Sequence, residues 1–210
     1  ASGTATLVGV EAGDDVILGD SPVFTFASAN VGTGITINTS GYTISGTNSG
    51  NYTLTQPTLS GDITAAPLTV TAIDQTKVYG ATDPTLTYSI TGFQGTDTEA
   101  DLDTAVSISR AVGEDVGTYT ITPSAAADSN YTVSFVTADF AITAADLTVT
   151  AIDQTKVYGA TDPTLTYSIT GFQGTDTEAD LDTAVSISRA VGEDVDTYTI
   201  TPSAAADSNY

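Results

Sequence analysis

The sequence predicts an all-β chain built from small antiparallel β-sandwiches set in tandem. Three observations carry this. One long stretch occurs twice. Apolar residues alternate with Thr and Ser at a period of two. Clusters of Gly, Asp, Asn and Pro break the alternation at short intervals.

The duplicated stretch runs from Leu68 to Tyr131 and returns from Leu147 to Tyr210, an offset of 79 residues. Within it the only change is Gly117 to Asp196. Repetition at a fixed period marks an array of supersecondary units. The first 66 residues are a more distant relative. Asn51-Tyr52-Thr53 before Ile63-Thr64-Ala65-Ala66 matches Asn130-Tyr131-Thr132 before Ile142-Thr143-Ala144-Ala145. Asn30-Val31-Gly32-Thr33 also matches Asp115-Val116-Gly117-Thr118. Three units follow: 1–66, 67–145 and 146–210. Only two Ala and one Pro or Asp separate the last strand of one unit from the first of the next, so the array is expected to be an extended, semi-rigid rod.

Within the repeat, Leu68, Val70 and Ala72 point to one face while Thr69, Thr71 and Ile73 point to the other. Leu86-Tyr88-Ile90, Val106-Ile108, Tyr119-Ile121, Val133-Phe135 and Phe140-Ile142 repeat the pattern. Turn residues lie between them at 80–84, 92–95, 113–115 and 128–130. Residues 98–103 are expected to form a helical turn. Asp115-Val116-Gly117-Thr118-Tyr119 resembles the D-x-G-x-Y entry to the sixth strand of immunoglobulin domains, which makes the sandwiches Ig-like. Tyr119, and Tyr198 at the equivalent place, are then structural corner residues whose hydroxyls bond backbone. Gly117 is expected at a positive φ.

Composition removes several chemistries. The chain has no Cys and no His, so a disulfide framework, a thiolate or His metal site and a His-based general base are excluded within it. It has 26 acidic residues against 4 basic ones, a net charge of −22. Nucleic acid is excluded as a partner, because phosphates need Lys and Arg, and an anionic membrane surface is disfavoured on the same ground. No apolar run is long enough for membrane insertion as a helix. With 40% hydrophobic and 14% charged residues, the chain is expected to fold.

The motifs Lys77-Val78-Tyr79-Gly80, Asp83-Pro84-Thr85-Leu86-Thr87-Tyr88, Val116-Gly117-Thr118-Tyr119-Thr120-Ile121 and Asn130-Tyr131-Thr132 resemble the MBG repeat of large bacterial surface proteins. The resemblance covers 67–145 and 146–210. Residues 10–16 and 41–46 make the N-terminal unit similar to the YDG repeat, without that family's Tyr-Asp-Gly opening and hence without its first strand. The resemblance implies an extracellular bacterial adhesin or a filamentous-haemagglutinin-like protein. The second repeat does not include counterparts of 132–145. Either the chain runs on in a longer precursor, or another subunit supplies the strands by head-to-tail strand exchange.

Candidate sites are few. Asp97, Glu99, Asp101 and Asp103, repeated as Asp176, Glu178, Asp180 and Asp182, place alternate carboxylates on a loop. They could hold Ca²⁺, although the central Gly and closing Glu of an EF-hand loop are missing; the alternative is a solvated acidic turn. Lys77 and Asn130 are candidates for a Lys–Asn cross-link of the kind found in surface adhesins, which needs an apolar site that keeps the amine neutral. The alternative pairs Lys77 with an acid and leaves Asn130 to shape a turn. Paired carboxylates could cleave glycosides, but without Trp platforms and with the acids confined to turns, no enzyme is expected. The leading reading is a stalk or fibre repeat that spaces and scaffolds cell or matrix adhesion. The alternative is a glycan- or protein-binding module, Ca²⁺-dependent or not, whose host or matrix ligand the sequence does not name.

Overall fold

The protein's structure, a computed structural model, describes residues 5–210. Residues 1–4 of the predicted first unit lie outside the described residues. The described chain is built from strands and three short 3₁₀ turns.

The N-terminal unit contains β1 (Ile17–Gly19), β2 (Val23–Phe26), β3 (Gly32–Ser40), β4 (Thr43–Ser45) and β5 (Leu59–Ile63). β1 pairs with β4, and β3 lies between β2 and β5. All of these pairs are antiparallel. Packing here is loose: Phe24 and Phe26 remain 48% and 41% exposed, and Tyr42 is the one buried residue among the described residues of this unit.

The middle unit is a two-layer sandwich. Its strands are β6 (Ala66–Ala72), β7 (Gln75–Val78), β8 (Tyr88–Thr91), β9 (Ser107–Arg110), β10 (Gly117–Ser124), β11 (Tyr131–Val136) and β12 (Ala138–Thr143). One sheet has the order β11-β6-β8 and the other β7-β12-β10-β9. Leu68, Val70 and Ala72 of β6 turn inward, as the alternation requires, at 0%, 0% and 5% exposure. From the other sheet Ile121, Phe140 and Ile142 cluster with Ala72, with Tyr79, Leu86, Ile108, Tyr119 and Ala138 packed around them. Burying a side chain of this size contributes about 1.5–3 kcal/mol, so these few residues carry most of the unit's cohesion.

The expected antiparallel sandwich is present, with one parallel pair at an edge of each sheet. β11 runs parallel to β6, and β12 parallel to β7. The cause is the tandem arrangement. A unit entered at one end and left at the other must have its opening and closing strands running the same way.

In the third unit β13 (Thr148–Ile152) pairs with β14 (Thr166–Thr170), and β15 (Ser186–Arg189) with β16 (Ile200–Ser203). These pairs repeat β6–β8 and β9–β10. The interior residues Leu147, Val149 and Ile200 are half-buried, where Leu68, Val70 and Ile121 are fully buried. The difference measures what the β11–β12 pair covers in the middle unit.

Gly117 is not at a positive φ, contrary to the expectation from its motif. The glycine this corner needs is Gly113, at φ +152°, where an added Cβ would come 2.0 Å from Tyr119 Cε1. A Cβ at Gly117 meets nothing closer than 3.8 Å, which is why Asp196 fits the equivalent position.

Candidate functional site: charge clusters and joints between units

All four basic residues of the chain sit in two matching clusters. Lys77 on β7 meets Asp83 at 2.8 Å and also bonds Glu114. Arg110, at the end of β9, meets Asp83 through Nε at 2.5 Å and also bonds Glu114. Its Nη1 donates to the carbonyls of Ala111 and Gly113 at 2.9 and 2.7 Å. The guanidinium lies 4.8 Å from the centre of the Phe140 ring and 5.6 Å from that of Tyr119. In the third unit Lys156 and Arg189 repeat the pairing with Asp162 and Glu193 at 2.5–2.7 Å. The Lys77 and Arg110 side chains are only 4% and 10% exposed, against 20% and 18% for Lys156 and Arg189.

These contacts set the ionisation of the cluster. Arg110 first, and then Lys77, hold the Asp83 carboxyl down at about 2. Arg189 and Lys156 do the same to Asp162. Lys77 is raised by its bonds to Asp83 and Glu114, which outweigh its desolvation. It is therefore a charged amine. The cross-link chemistry needs a neutral one, and Asn130 is engaged elsewhere, so the structure does not bring Lys77 and Asn130 into one site.

The acidic loop contains the expected turn, a 3₁₀ helix at Glu99–Asp101. Its carboxylates diverge. Asp97 accepts the Tyr131 hydroxyl at 2.7 Å, and Glu99 accepts the Tyr88 hydroxyl. Asp101 accepts the backbone N–H and the hydroxyl of Thr98, both at 2.8 Å, and Asp103 accepts the Ser129 N–H at 3.0 Å. In the third unit Asp176, Glu178, Asp180 and Asp182 take the corresponding Tyr210, Tyr167, Thr177 and Ser208 donors. Among the described residues no group of three carboxylates is placed to hold a cation, because each is turned to its own donor. The Tyr119 hydroxyl donates to the Asp115 carbonyl at 2.8 Å and that of Tyr198 to Asp194 at 3.1 Å, closing both corners.

The short joints are legible in the sequence, but the hydrogen bonds across them are not. β12 ends at Thr143 and β13 begins at Thr148, so only a four-residue connector separates the two strands. At the second joint the Asn209 carbonyl accepts the Ala145 N–H of this connector at 2.9 Å, while Asn209 Oδ1 accepts the Val116 N–H of the preceding unit at 2.9 Å. At the first joint Asn130 does the same, accepting from Ala66 N at 3.0 Å and from Val31 N at 2.9 Å. One Asn thus ties each unit to its connector and to the unit before. Beside Asn209, the Tyr79 and Tyr210 rings meet edge to face at 5.5 Å. Both hydroxyls donate to Asp176 Oδ2, at 2.9 and 2.7 Å. The bond to Asp176, followed by burial, pushes the Tyr79 phenol up to about 12.

The family model described as MBG domain (YGX type) matches residues 68–141 and again 147–210. The chain belongs to the MBG domain family. The model described as YDG domain matches residues 1–59. No curated protein and no solved structure matches the chain. The chain is therefore a YDG-type unit followed by two MBG units, and both joints lie at MBG boundaries. The matched motifs divide by role. Lys77, Asp83, Arg110 and Glu114 hold each MBG unit together from within, whereas Tyr79, Val116 and Asn209 act between units. The Val31-Gly32 and Val116-Gly117 correspondence was visible as sequence, but only the fold shows that both valines donate to the Asn of the next unit.

Proposed function

We propose that this chain is a spacer segment of a secreted or cell-surface bacterial adhesin or extracellular filament, which holds a fixed distance mechanically and without turnover. One observation carries the reading. The near-identical MBG units are joined strand to strand, and each is tied back by one Asn to its connector and to the unit before. Length then grows in equal steps with copy number, and a uniform step is of use to a stalk. The MBG and YDG families are repeat domains often found in surface proteins, which supports the outward location. Net charge of −22 adds repulsion that discourages lateral clumping of neighbouring stalks.

The test is a surface-display series in which an inert tag is carried on one, two or four MBG copies. The spacer reading predicts that the tag's height above the cell surface, read by super-resolution ranging, rises by the same increment per copy. A height that does not change with copy number would refute it.

A further inference from the structure

We propose that Asn209, Tyr210 and Asp176 of one MBG unit form a plug, and Tyr79, Gly80 and Val116 of the unit before it a socket. Together they latch the two units at one angle. This rests on the spacer reading and names the parts that would make the spacer stiff.

Three independent features meet at this surface. The first is polar complementarity. Asn209 Oδ1 accepts the Val116 N–H at 2.9 Å, and its Nδ2 faces Asp115 Oδ1 at 3.4 Å, so both ends of the amide have a partner of the right kind. The second is the aromatic contact. Asp176 takes the hydroxyls of both Tyr79 and Tyr210, one from each unit, across their edge-to-face rings. The third is close fit at Gly80. A Cβ there would lie 2.4 Å from Gln173 Cβ, and its φ is +78°. The Tyr79–Gly80 pair is thus shaped for an approach that a larger residue would block.

An internal comparison shows what the following unit and the closing β11–β12 pair cover together, since Tyr79 also packs on its own unit's core cluster. Tyr158 and Val195 are the third unit's copies of Tyr79 and Val116, with no further unit against them among the described residues. Tyr158 is 71% exposed and Val195 90%, whereas Tyr79 is half-buried and Val116 is 36% exposed. The first joint shares the Asn–Val bond, so that bond is the common element and the aromatic contact belongs to the joint between MBG units.

The chain has no cysteine, so spin labels can be placed cleanly at V112C and V191C, equivalent sites that are 99% and 100% exposed. Double electron–electron resonance then reads the distance between the units. The expected result is a single narrow distribution for the otherwise unchanged chain, and at least a doubling of its width in the Asn209→Ala/Tyr79→Ala variant. A second label pair within the middle unit, V112C with V136C, should stay narrow in both. If the double variant broadens this inner pair as well, Tyr79→Phe decides. It keeps the ring and removes only the bond to Asp176, and the latch predicts partial broadening between units alone. A distribution between units that stays narrow in the variants overturns the latch and leaves the spacer reading intact. A broad distribution in the unchanged chain overturns both.

Discussion

Replacing Asp83 by Asn removes the anion shared by Lys77 and Arg110. Its carboxylate takes Lys77 at 2.8 Å and Arg110 at 2.5 and 3.2 Å. The amide can still accept one of these bonds but cannot balance a buried Lys77 and a largely buried Arg110, which are left with Glu114. Exposed ion pairs contribute about 0.2–1 kcal/mol, and breaking a buried pair costs about 3–5 kcal/mol. The cations here are buried while Asp83 is 39% exposed, so solvent screens part of the loss. The expected cost is about 2 kcal/mol, between those limits. For a unit of this size that lowers its calorimetric transition by about 8–16 °C at neutral pH. The third unit supplies a built-in control: around Asp162 the cations are more exposed, so Asp162→Asn should lower its own transition less. The pH dependence has a definite sign. The carboxyl is depressed from 3.8 to about 2 in the fold, so its contribution is complete above 3.8 and is lost as pH falls through about 2. Asp83→Asn should flatten that acid limb. A variant that melts within about a degree or two of the unchanged chain, or an Asp162→Asn drop larger than that of Asp83→Asn, would show that Asp83 is not the anion that balances Lys77 and Arg110.

Three further outcomes are expected. Tyr79 is raised above the ordinary 10 to about 12, so its contribution is whole below 10 and lost as pH climbs through about 12; the ultraviolet titration difference between the unchanged chain and Tyr79→Phe should show one late-ionising phenol. Gly113→Ala should destabilise the middle unit by about 1–3 kcal/mol, through both its φ and the Tyr119 ring, while Gly117→Asp should leave the melting temperature almost unchanged; equal effects would contradict the corner geometry. A chain extended by a further copy of residues 132–210 should place a plug on the third unit's socket, so that Tyr158, now 71% exposed, becomes slower to nitrate by tetranitromethane; an unchanged rate would count against the latch.

The repeat, its 79-residue step and the inward faces of β6, β10 and β12 were legible because identity and period-two alternation are local properties of the sequence. So was the Tyr119 corner, carried by a five-residue motif. The parallel pairing of β6 with β11 was not. It follows from where the chain enters and leaves a unit, which alternation does not encode. The acidic loop was legible as a turn. The alternate spacing of its carboxylates did not reveal that Thr98, Ser129, Tyr88 and Tyr131 each engage one of them. Lys77 and Asn130 were singled out for being rare or well placed, and both matter, in different networks. A Lys buried among acids 6 and 37 positions away, and an Asn reaching back 93 positions to Val116 or 99 to Val31, leave no local trace. The charge cluster had a faint signal: the only four cations fall in two pairs at the repeat offset.

Small-angle X-ray scattering from the 210-residue chain shows whether the units are held in line. A compact fold of this length would have a radius of gyration of about 17 Å. Units tied end to end predict a clearly larger value, with a cross-section like that of a single sandwich and a maximum dimension that does not change with salt. A radius near 17 Å, or a maximum dimension that shrinks as salt screens the charge, would contradict it.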